Sequence, residues 1–235
     1  MNEPQPNSQP KINLADFFQR FSTQVLWHFT GYNKLPDKAY QILNLILGSK
    51  TLKAGSTTGK IIMPNGKDRW GYRHSCMCDI PFRDLRIHML RYGQFGIAFY
   101  KRPAITRGNF NPVLYVHRDN IMFQQIDGLL ASIEAEVRSN PELAKRLQKY
   151  LLTIGGYVKR SDLIGKIEID SRLDDSQDNN FYYEREWRSL NDWTFDDSAI
   201  AAIMIPQEYR NQFHQLWKER FVNSSLISSQ MVEAL

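Results

Sequence analysis

Cysteine is scarce: the 235 residues contain two, Cys76 and Cys78, too few and too close together for a disulfide framework. On a strand the two would share one face as small buried hydrophobes. His74 extends them to His-x-Cys-x-Cys, but no second Cys/His pair follows, and a closed zinc site takes four ligands, so no metal is expected. No run of about 18 apolar residues exists to span a membrane, and Met1–Pro10 is polar and rich in Pro and Asn rather than an apolar leader. These absences read as a soluble, cytoplasmic chain with no membrane partner. Internal repeats, a helix-turn-helix and a linker long enough to divide the chain are also missing.

What is present is globular: 42% hydrophobic and 23% charged residues, with a net charge of +5 and a pI near 9.1. The positive charge gathers in a Gly-rich region (Lys50, Lys53, Lys60, Lys67, Arg69, Arg73) and again at Lys101, Arg102 and Arg107. Such patches suit phosphate-bearing partners, a dinucleotide or a nucleic acid, and equally suit solvated loops.

Residues 1–12 read as disordered, and 13–235 as a single domain with flexible insertions near 55–73 and 170–180. Asn13 caps a short helix, and Gln24–Thr30 has strand composition. Pro36 opens the clearest helix, in which Ala39, Ile42, Leu43, Ile46 and Leu47 recur at helical spacing. Residues 55–73 read as a loop. Strands follow at Ser75–Asp79, Gly96–Tyr100, Pro112–His117 and Ala199–Ile205. Helices follow at Phe82–Tyr92, near 119–138 (Met122, Ile126, Leu129, Leu130, Ile133 and Val137 on one face), at Pro141–Leu152 and at Gln207–Phe221. This irregular alternation argues for α+β rather than a doubly wound parallel sheet.

The stretch Phe181–Arg188 has strand-type composition but carries four charges. In a regular strand Tyr182, Glu184, Glu186 and Arg188 share one face, and Phe181, Tyr183, Arg185 and Trp187 the other. Two carboxylates at i and i+2 stand only about 7 Å apart and need a cation or polar ligand between them. That row is the candidate site, although a charged face is also what protects an edge strand from aggregation. His28, at the end of its strand, is a candidate ligand-facing residue and also fits a buried histidine bonded to a backbone carbonyl.

The pieces Asp79-Ile80-Pro81, His88, Tyr92-Gly93, Phe95-Gly96-Ile97, Lys101 and Asn111-Pro112-Val113 resemble the core signature of the AbiGi-type abortive phage resistance family. Trp27-His28-Phe29-Thr30 resembles that family's opening strand, and Tyr183-Glu184-Arg185-Glu186-Trp187-Arg188 its closing Glu-Trp-Arg motif. The resemblance implies antiphage defence, with an antitoxin label. Asp79 and His88 have structural roles available, the first as a helix cap. A weaker resemblance is to the ADP-ribosyltransferase fold, with split mixed or antiparallel sheets and helices packed around them.

That second resemblance implies NAD as substrate. Glu186 would be the catalytic carboxylate, Glu184 would orient or deprotonate the acceptor, and His28 with Thr30 would hold NAD. Tyr92 or Tyr100 would lie against nicotinamide, and Arg188 on the pyrophosphate. The function it implies is a mono-ADP-ribosyltransferase-like glycosyltransferase that modifies a nucleic acid (RNA or DNA) or a protein. The alternative is an inactive antitoxin or regulator that binds a partner toxin or nucleic acid. A nuclease built on Asp79, Lys101, Glu184 and Glu186 is a third reading.

Overall fold

The structure, a computed structural model, describes residues 23–55, 59–62, 68–116, 120–160, 184–221 and 223–233. The N-terminal segment with the Asn13 helix, the 170–180 loop and Phe181–Tyr183 lie outside these residues.

Strand β1 (Val25–Phe29) forms from the aromatic and branched run expected there. Pro36 starts α1 (Pro36–Ser49), which buries Ala39, Leu43, Ile46 and Leu47 and stops where Lys50 turns left-handed at φ 51°. A short β2 (Thr51–Leu52) precedes β3 (Gly59–Ile62) and β4 (Asp68–Tyr72). These two pair as an antiparallel hairpin inside the stretch read as a loop. Gly, Lys, Thr and Asn fill that stretch, so the pairing leaves no period-two apolar signal.

Next come β5 (Ser75–Cys78), a 3-10 turn at Phe82–Asp84, α2 (Leu85–Tyr92), β6 (Gly96–Tyr100) and α3 (Lys101–Thr106). The strand expected over 112–117 is broken at Val113 into β7 (Asn111–Pro112) and β8 (Leu114–Val116). The reason is a change of partner: the Val113 amide donates to the Glu186 carbonyl, and the Leu114 amide to that of Tyr157.

Helices α4 (Ile121–Ser139) and α5 (Pro141–Gly156) pack on one another. The Asn140 side chain accepts from the Leu143 amide at 3.1 Å, and Pro141 sets the first turn of α5. On the expected buried face of α4, Ile133 is buried while Met122 and Leu129 stay exposed. The remaining elements are β9 (Val158–Arg160), β10 (Glu186–Ser189), β11 (Trp193–Thr194), β12 (Ile200–Ile205), α6 (Arg210–Arg220), β13 (Ser225–Ser228) and α7 (Ser229–Glu233).

Seven strands form one sheet in the order β13-β12-β6-β1-β5-β10-β7, antiparallel except for the β12–β13 pair. The fold is therefore α+β with a mostly antiparallel sheet. Beside it the described residues form three two-stranded sheets, β11–β2, β3–β4 and β8–β9. The narrowest seam lies between β1 and β5, whose register comes down to one position, Trp27 opposite Cys78.

One face of the sheet carries Leu26, Ile97, Phe99 and Ile203 against Leu43 and Leu47 of α1 and Phe213 of α6. The other face carries Trp27, Cys78, Ala98 and Met204 against Leu85 and Met89 of α2 and Val232 of α7.

At the end of β1 the Thr30 amide donates to Phe95 and the Gly31 amide to Tyr92, drawing the two backbones together. A Cβ on Gly31 would stand 2.7 Å from the Tyr92 carbonyl oxygen and 2.8 Å from Cα of Gly93, itself at φ 82°. Gly31→Ala is therefore expected to lower the urea unfolding free energy by at least about 2 kcal/mol. Gly128→Ala, inside α4 with open space around the added methyl, should raise it by about 0.5–1 kcal/mol.

Candidate functional site

The Gly31–Gly93 contact fixes where Tyr92 stands. From there its hydroxyl donates to Glu184 Oε1 at 2.5 Å. Its ring lies between those of Tyr32 and His88, at 5.5 and 5.4 Å, with the Arg91 guanidinium 5.4 Å from its centroid. The other Glu184 oxygen, Oε2, accepts from Lys159 of β9, and Arg91 Nη1 lies 3.7 Å from Oε1.

Glu186 is held more tightly still. Arg188 grips it with two bonds, Nε to Oε1 at 2.6 Å and Nη2 to Oε2 at 3.0 Å, and Lys159 Nζ donates to Oε2 at 3.1 Å. The third corner of the guanidinium, Nη1, donates to the Gly156 carbonyl at the end of α5, at 3.0 Å. The Glu186 backbone amide donates to the Tyr115 hydroxyl. Every oxygen of both carboxylates thus has a donor, in a region where the Glu184, Glu186 and Arg188 side chains are 6–8% exposed.

Both carboxylates reach one ammonium because the strand does not run through them. It begins only at Glu186, and Arg185 is left-handed at φ 44°. That conformation costs a non-glycine residue about 1 kcal/mol. The Arg185 carbonyl accepts from the Asp79 amide, and its guanidinium lies 3.8 Å from the Asp79 carboxylate. Asp79 also takes Lys101 Nζ at 2.7 Å and the Thr23 hydroxyl at 2.8 Å. It is a buried knot joining three segments, not the helix cap expected of it.

The electrostatics match this geometry. Burial pushes the Glu186 carboxyl upward, but Lys159 and Arg188 outweigh it and hold the group at about 2 against an ordinary 4.5. Burial works against the charge on Lys159 in turn, and Glu186 and Glu184 overcome it, so its pKa rises. His88 is depressed to about 4 by burial and by the charges of Arg91 and Lys159.

The remaining expected site residues lie elsewhere. Register fixes the faces: Glu186 stands opposite Cys78, which stands opposite Trp27, so Glu186 and Arg188 share the Trp27 face. His28 stands opposite Ile97, on the Leu26 face. Its Nδ1 donates to the Cys76 carbonyl at 2.8 Å, and burial lowers its pKa. Thr30 is buried with its hydroxyl on the Ala39 carbonyl. Tyr100 is exposed beside Arg102 and Arg107. Of the residues expected to serve NAD, the structure brings together Glu184, Glu186, Tyr92 and Arg188; His28, Thr30 and Tyr100 do not join them.

Lys159, Arg91 and Tyr115 complete the cluster and carried no sequence signal, because each meets its partner across a large chain separation. One trio of potential metal ligands occurs among the described residues, His74, Cys76 and Glu186, with donor atoms within 4.8 Å of one another. The donor chemistry opposes a cation there. Burial, with Glu186 adding to it, pushes the Cys76 thiol well up, and Glu186 already faces Arg188 and Lys159.

This is an α+β protein whose buried carboxylates are held in ion pairs. The chain belongs to the AbiGi family: the family model described as abortive phage resistance protein AbiGi, antitoxin, matches residues 41–226. The match covers Asp79, Tyr92, Lys159 and the Glu184–Arg188 motif but not the His28 strand. No curated protein and no solved structure matches the chain. Among the described residues no helix is long and apolar enough to cross a membrane.

Removing one partner of a buried ion pair strands the other charge, so Arg188→Met is expected to cost about 3–5 kcal/mol in urea unfolding. The acid limb has a defined sign. His88 and Glu186 both have folded pKa values below their unfolded ones, so each contributes stability at high pH and loses it on acidification. The loss runs from pH 6.5 to 4 for His88 and from 4.5 to 2 for Glu186. The urea midpoint should fall across both windows, and His88→Phe should flatten the upper one.

Proposed function

We propose that this chain is the antitoxin-type component of an abortive phage-resistance system, a binding module that restrains a partner toxin. The observation that carries this reading is the saturation of Glu184 and Glu186. A general base or an oxocarbenium-stabilising carboxylate needs an oxygen free for its substrate, and here Tyr92, Lys159 and Arg188 occupy all of them. The family description supports the same role. Apolar side chains left in solvent on α4 and α5 (Ile121, Met122, Leu129, Tyr150 and Ile154) supply the hydrophobic contact a protein partner requires. The ADP-ribosyltransferase reading keeps one supporting contact, the Tyr92 hydroxyl on Glu184.

The test pairs growth with chemistry. Cells expressing the product of the adjacent gene should arrest, and co-expression of this chain should restore growth. Tyr92→Phe and Glu184→Gln, once shown by thermal melting to be folded, should restore it equally well, and purified protein incubated with NAD should release no nicotinamide. Nicotinamide release that disappears in Glu186→Gln, or failure of folded Tyr92→Phe to rescue, would overturn the antitoxin reading in favour of NAD chemistry.

A further inference from the structure

We propose that the groove between α5 and the backbone around Arg73 and Leu190 binds the phosphodiester backbone of a nucleic acid. This does not depend on the antitoxin reading. Among the described residues the groove, of about 570 Å³, is lined by Arg73 on one side and by Lys145, Arg146 and Lys149 on α5, with Glu142 as the carboxylate in the lining and Asp192 4.0 Å from the Arg73 guanidinium. Arg73 is anchored: Nη2 donates to the Ala54 carbonyl at 2.9 Å and Nε to that of Gly55. The three α5 cations occupy positions i, i+1 and i+4 on the exposed face of the helix, opposite the buried Ala144 and Leu151.

No described residue makes an ion pair or hydrogen bond with the charged groups of Lys145, Arg146 or Lys149, and all three residues line the groove. Among the described residues these four cations outnumber Glu142 and Asp192, giving positive potential with guanidinium groups on both walls and ammonium groups on α5, as phosphate oxygens require. Among the described lining residues Leu190 is the one large apolar side chain. A protein partner would need apolar or aromatic anchors at such a centre, where charged residues are depleted. Protein–nucleic acid interfaces are instead polar and strongly positive.

The experiment is fluorescence anisotropy of the full chain with a short labelled single-stranded RNA, the DNA of the same sequence, and its duplex, over a salt series. At least one of the three should bind at low salt, and whichever binds tightest names the source of the phosphates. Lys145→Glu/Lys149→Glu, with an unchanged thermal melt, should weaken binding at least about tenfold and reduce the salt slope by about 1.4 for two single-strand contacts. Arg102→Glu/Arg107→Glu, in the other basic patch, should change affinity less than about twofold. The proposal is overturned if none of the probes binds at low salt or if the Lys145/Lys149 variant binds like wild type. It is equally overturned if both variants lose binding alike, or if a polyglutamate peptide competes as strongly as the nucleic acid, which would make the groove a site for an acidic protein.

Discussion

The paired grip of Arg188 on Glu186, with Lys159 bridging onward to Glu184, is the interaction on which the rest of the site depends. Two carboxylates this deeply buried stay ionised only beside cations, and the chain supplies them from separate elements: Arg188 from β10 itself, Lys159 from β9 and Arg91 from α2. Arg188 also closes the end of α5 through the Gly156 carbonyl. Leu190 packs against Gly156 at that point: a Cβ there would stand 2.6 Å from the Leu190 side chain. A network that reaches β9, β10, α2 and α5 at once fixes their mutual geometry, and each remaining charge would be costly to leave unpaired.

A second ionic knot lies one residue away on the other side of the bend. Asp79 collects Lys101, Arg185 and Thr23, and its amide bonds the carbonyl of left-handed Arg185. The two knots share the bend between Glu184 and Glu186, so the same backbone turn that aims both glutamates at Lys159 also turns Arg185 to Asp79. At this bend the Glu-x-Glu pair ties together parts of the chain far apart in sequence.

The sequence made most of the main sheet and its covering helices legible, because their signals are local. The apolar spacing of Ala39 to Leu47, the aromatic run at β1, the glycines at 93 and 96, and the branched run of β12 each mark an element through its own residues. The hairpin at 59–72 escaped because its pairing is not accompanied by apolar alternation, and the break at Val113 escaped because it reflects a change of partner strand. The candidate site was half legible. Glu184, Glu186, Arg188 and Tyr92 stood out by composition and motif. Lys159, Arg91 and Tyr115 did not, since nothing local distinguishes a lysine that will meet a carboxylate from one that will meet water. Pairing His28 with Glu186 failed on register, a property of three adjacent strands that no single segment encodes.

In the antitoxin proposal Glu186 serves as an ion-paired structural anchor rather than a titrating acid or base. The direct measurement is a carbon-13 NMR titration of the side-chain carboxyl of Glu186, assigned by comparison with Glu186→Gln. The account predicts a single carboxylate signal that holds its ionised shift through pH 4.5 and moves only towards about 2, or until the protein unfolds. A midpoint at or above the ordinary glutamate value in folded protein would contradict it, and would return Glu186 to the role of a proton-transfer residue.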